Sequence, residues 1–74
     1  MQMDSGTELA IRAVVRGLFH SDAINANQVR AVMSALKDAA GAAMDRREPA
    51  TAKELVALCK GVHLDTAVSA AEAG

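Results

Sequence analysis

"IRAVVRGL" at residues 11–18 is echoed by "VRAVMSAL" at residues 29–36, and the reading of that echo decides the fold. At 100° per residue, each copy gathers its branched and leucine side chains on one side of a helix. In the first copy Ile11, Val14, Val15 and Leu18 share a face that Phe19 extends. In the second Val29, Val32, Met33 and Leu36 do so, and the stripe runs on through Ala40, Ala43 and Met44. A spacing of eighteen residues equals five helical turns, yet "HSDAIN" (20–25) interrupts them, so the copies are two helices and not one. They predict an αα-hairpin in which each helix offers the other a similar ridge, with Ile24 plugging the turn. Helical cores draw on few residue types, so a shared packing problem accounts for the echo without internal duplication.

The segment boundaries carry a common device. "SGTE" (5–8), "NANQ" (25–28) and "TAKE" (51–54) each place a Ser, Asn or Thr three residues before a Glu or Gln, the spacing of a capping box. Helices are therefore expected near 6–19, 26–45 and 52–72, with Pro49 just outside the third and helping to stop the second. No stretch alternates with period two, which removes the case for strands. On the first helix Arg12, Arg16 and His20 fall on a separate face, and Glu8–Arg12 is a favourable i,i+4 pair.

The third segment is two-sided. Leu55, Leu58, Cys59 and Val62 form one stripe, while Leu64 and Val68 project from nearly the opposite side. Gly61 stands between the two patterns and costs about 1 kcal/mol relative to alanine in a helix interior. Either the helix breaks near Gly61 or both of its sides are buried, and the second option implies a partner. Leu64, Val68 and Val56 are the expected intersubunit residues. Ile11, Val14, Val15, Leu18, Phe19, Val29, Val32, Met33, Leu36, Leu55, Leu58 and Val62 are the expected core.

Composition explains why a partner is expected. The chain has 74 residues and 51% apolar content, but 17 of its residues are alanine and it holds one Phe, no Trp and no Tyr. Alanine favours helix and buries little. A single core in a chain of this length usually needs a staple, and the lone Cys59 excludes an internal disulfide. The expected architecture is all-α: one small domain over 1–74, an αα-hairpin plus a third, broken or continuous helix, completed by homo-oligomerisation with a dimer favoured. Residues 1–5 and 70–74 are expected to fray.

Charge and cysteine usage bound the setting. The net charge of −1 is spread evenly along the chain, unlike the basic footprint of a nucleic-acid binder. Asp4, Glu8, Arg12 and Arg16 leave no charge-free signal segment near the start, no apolar run reaches membrane-spanning length, and one isolated cysteine suits a reducing cytoplasm.

Few residues suggest chemistry. In "CKGVH" (59–63), Cys59 and His63 are neighbours on an unbroken helix and could give a zinc or copper ion two ligands, with His20 as a third. A closed zinc site needs four, so the simpler reading makes Cys59 a small buried hydrophobe and His63 a solvated edge. A nucleophilic Cys59 would need a reachable thiolate beside an oxyanion-binding pocket. No catalytic residue and no cofactor are expected. "DRRE" (45–48) reads as a self-neutralised helix end.

The expected function is a non-enzymatic interaction module that acts by binding itself or another protein as an adaptor, inhibitor or regulatory subunit. A helix-turn-helix DNA reader is an alternative, with 26–45 as recognition helix carrying Gln28, Arg30, Ser34 and Lys37, although Asp38 and Asp45 would then face phosphates. A small metal-responsive helical protein is a second. In composition alone, these Ala-rich, Met-containing amphipathic helices resemble the phasins that coat polyester storage granules, and that resemblance implies a surface-coating role as a third.

Overall fold

The computed structural model describes residues 4–68, which form three helices: α1 (Ser5–His20), α2 (Ala26–Asp45) and α3 (Pro49–Thr66). The expected fraying of 1–3 and 70–74 lies outside the described residues. Asp4 and Ser5 build the head of α1.

Two of the three helix starts differ from their expected form. Asp4, not Ser5, caps α1: its carboxylate accepts from the Thr7 amide at 2.6 Å, and that bond holds its pKa below the usual carboxylate range. Asn25 and Gln28 close the expected capping box on α2, with reciprocal bonds of 2.9 and 2.7 Å. Helix α3 begins three residues early, on Pro49 at its first turn, so Thr51 lies inside the helix and does not cap it. Proline suits that place, since its fixed φ is helical and its missing amide would have had no partner.

The pairing of helices also departs from expectation. α3 is the central element, packed along α2 and against α1, whereas α1 and α2 barely touch. The hairpin is therefore α2–α3, and both copies of the echoed stretch pack on the third helix instead of on each other. Val15, Val29, Met33, Cys59, Val62 and Val68 form the main core, with Phe19, Ile24, Ala26 and Leu36 against it. Leu58 is also buried. Near the α2–α3 turn the contact thins to Ala40, Ala43 and Ala52, with Leu55 alongside. Small side chains there let the two helices run close together at the cost of apolar area.

Helix α3 continues unbroken through Gly61, which settles the first of the two options above. It stops at Thr66, short of the expected 72. Ala67 takes the left-handed conformation (φ 59°) and its amide bonds the His63 carbonyl at 2.7 Å. The Thr66 hydroxyl donates to the Val62 carbonyl and accepts from the Val68 amide. This reversal swings Val68 back into the core at 7% exposure, while Leu64 stays in solvent at 76%. Val68 is thus a core residue and not an interface residue. The two-sided pattern was two different things: one exposed helical leucine, and one valine beyond the helix.

Candidate interaction surfaces

The geometry of α1 is set by one glycine and one aspartate on α3. Arg12 forms a bidentate ion pair with Asp65, its Nε and Nη2 each donating at 2.9 Å, and Arg16 stands 3.7 Å from the same carboxylate. Glu8 sits 4.0 Å from Arg12 on the other side. The hydrogen bonds from Arg12 hold the Asp65 carboxyl below its usual range, with the charges of Arg12, Arg16 and His20 adding to the effect. The same bond raises the pKa of Arg12. Arg12 reaches Asp65 directly across Gly61, one turn earlier on α3, where a Cβ would come within 2.6 Å of Nε and 2.7 Å of Cδ.

This clamp rolls α1 about its axis. Its charged row Glu8–Arg12–Arg16 faces α3, and of its apolar face only Val15 is buried and Phe19 half-buried. Ile11, Val14 and Leu18, expected in the core, are turned outward with exposures of 37, 60 and 42%. They lie at i, i+3 and i+7 and form a continuous row. The physical reason is competition for one face. A bidentate, charge-assisted pair with a fitted glycine notch takes the side that the apolar residues would otherwise occupy.

α3 divides its circumference among two neighbours and solvent. Cys59, Val62 and Leu55 meet α2, Gly61 and Asp65 meet α1, and the third side carries Lys53, Val56, Lys60 and Leu64. Along that third side runs a shallow groove of ≈ 420 Å³ between α2 and α3, lined by Ala40, Gly41, Met44, Pro49, Ala52, Lys53 and Val56. Met44 and Val56 are 57 and 41% exposed. Two of the three expected interface residues, Val56 and Leu64, are exposed on this side, of which only Val56 lines the groove, and the third is buried. Asp65 and the notch at Gly61 were not foreseen as the features that orient α1. The available signal was a glycine tolerated in the interior of a helix.

The metal candidates engage separate partners. Cys59 is buried and its Sγ contacts the Met33 carbonyl at 3.7 Å. His63 Nδ1 bonds the Val68 carbonyl at 2.7 Å and ties down the chain reversal. The His20 ring lies 5.7 Å from that of Phe19 on α1. Among the described residues no three potential ligands come together to hold a metal ion, and no helix is long and apolar enough to cross a membrane.

No known family model, curated protein or solved structure matches this chain.

Proposed function

We propose that the chain is a small, non-enzymatic helical interaction module that self-associates through apolar helix faces and acts as an adaptor, inhibitor or regulatory subunit. The observation that carries this reading is the outward row Ile11, Val14 and Leu18 on a helix whose Arg12 is turned inward onto Asp65. A surface helix ordinarily does the reverse, with its charges in water and its apolar stripe on the core. Fully burying one Val, Leu or Ile side chain contributes about 1.5–3 kcal/mol, whereas association costs roughly 4–15 kcal/mol before any contact counts. Three half-exposed residues fall short alone, so the surface that covers them must contribute apolar area of its own.

The test is native mass by light scattering across a dilution series. Assembly that dissociates on dilution supports the reading, and a monomer at every concentration up to the millimolar range overturns self-association.

A further inference from the structure

We propose that α1 is a two-position element controlled by Asp65. Paired with that carboxylate it presents Ile11, Val14 and Leu18 to solvent; unpaired, it rolls about its axis and lays them against α3. The roll is a property of one molecule, while its consequence for assembly rests on the interaction reading above.

Three observations carry this. The inward face of α1 and its apolar face overlap without coinciding. Arg12, Val15 and Phe19 set the inward direction, whereas Ile11, Val14, Val15, Leu18 and Phe19 centre about 60° away, less than one residue's step around a helix. Val15 lies between the two directions, so it stays buried in either position and acts as the pivot. The side of α3 that meets α1 is equally permissive. Leu58, Gly61 and Asp65 follow one another there at i, i+3 and i+7. Leu58 is 2% exposed and Gly61 has no side chain, so the carboxylate is the only charge in that row. An apolar row packs against leucine and glycine as readily as an arginine stem does, and Asp65 alone favours the guanidinium. Finally, little else fixes the rotation. α1 barely touches α2, and among the described residues its polar ties to α3 all end on Asp65. Without that charge Arg12 and Arg16 return to water on their long stems, and turning the row inward removes apolar area from solvent.

The test is thiol labelling of full-length Leu18→Cys, resolved by peptide mass, at a dilution where light scattering gives the monomer mass. The buried Cys59 reports unfolding in the same experiment. Adding Asp65→Asn is expected to slow labelling at position 18 several-fold while Cys59 stays protected. If Asp65→Asn leaves Cys59 reactive, Arg12→Gln removes the same pair from the other side and takes its place. An unchanged rate at position 18 with Cys59 protected overturns the roll, since α1 then keeps its rotation without the clamp. Faster labelling at position 18, or Cys59 reactive in both variants, also overturns it, because α1 then leaves α3 instead of turning on it. Assembly is scored separately. Protection at position 18 in an Asp65→Asn chain that self-associates as strongly as the unaltered one supports the roll and removes the row as the contact, so the interaction reading fails alone.

Discussion

Arg12 reaches Asp65 across Gly61, and the space above that glycine is filled by the arginine's own Nε, Cδ and Cζ, which would lie 2.6–2.9 Å from any Cβ placed there. One residue without a side chain thus decides which face of α1 meets the core.

Gly61→Ala and Gly17→Ala are expected to change stability in opposite directions. Both replace glycine inside a helix, worth up to about 1 kcal/mol of propensity. At Gly17 a Cβ meets no atom within 4 Å, so the gain is realised. At Gly61 overpacking costs typically 1–3 kcal/mol and displaces the pinned Arg12, for a net loss of up to about 2 kcal/mol. Urea unfolding of the two variants checks the signs; equal stabilisation would refute the notch.

Acid should loosen α1 through Asp65. Its folded pKa is depressed by the hydrogen bonds from Arg12, below the value of about 3.9 in an unfolded chain. The contribution is therefore present in full above that unfolded value and is lost as pH falls through the folded one. Arg12, whose pKa is raised, stays charged throughout and adds no titration of its own in this range. Asp65→Asn should lower the melting temperature at pH 7, and the gap between it and the unaltered chain should shrink below pH 4. A gap that persists unchanged at pH 2.5 would contradict the assignment.

Val68→Asp and Leu64→Asp separate two apolar residues that lie on one side of α3 in the primary pattern. A 74-residue domain is worth about 4–11 kcal/mol in all, and an unpaired charge buried at Val68 costs several kcal/mol, enough to unfold much of the population. At Leu64, 76% exposed, the same change should stay within about 0.5 kcal/mol. Comparable losses at both sites would rule out the chain reversal at Ala67.

Ala67→Gly and Arg47→Gly should each stabilise by about 1 kcal/mol. Both residues end a helix at positive φ, 59° and 60°, where any Cβ is disfavoured and glycine is not. Thermal melts provide the check, and no gain at either site would mean that the side chains make compensating contacts.

The helices themselves were legible because apolar period and capping residues act within a few positions of each other; Asn25 with Gln28 is the clearest instance. The start of α1 shifted by one residue because Asp4 and Ser5 are both good caps and the carboxylate won. What could not be read was rotation. The choice between burying Ile11, Val14 and Leu18 and burying Arg12 rests on Asp65, 53 positions along the chain from Arg12, and no local pattern carries that information. The same holds for the helix order, since two similar amphipathic stretches fit a third as well as they fit each other. Of the candidate site, Val56 and Leu64 were visible as surplus apolar residues on α3, whereas Val68 was misplaced by assuming that the helix ran on.

Placing the hub of the fold after both helices that pack on it has a kinetic corollary. During synthesis, α1 and α2 have no finished surface to settle on until α3 has formed, so the neighbouring α2–α3 pair is the natural first unit and α1 must close a long loop to join it. Its attachment, one ion-pair clamp with Val15 and Phe19 beneath, is also the thinnest in the molecule. Native-state hydrogen exchange should accordingly find α1 amides opening at lower free energy than those of α2 and α3. A helix that arrives late and leaves early is the least protected part of the fold.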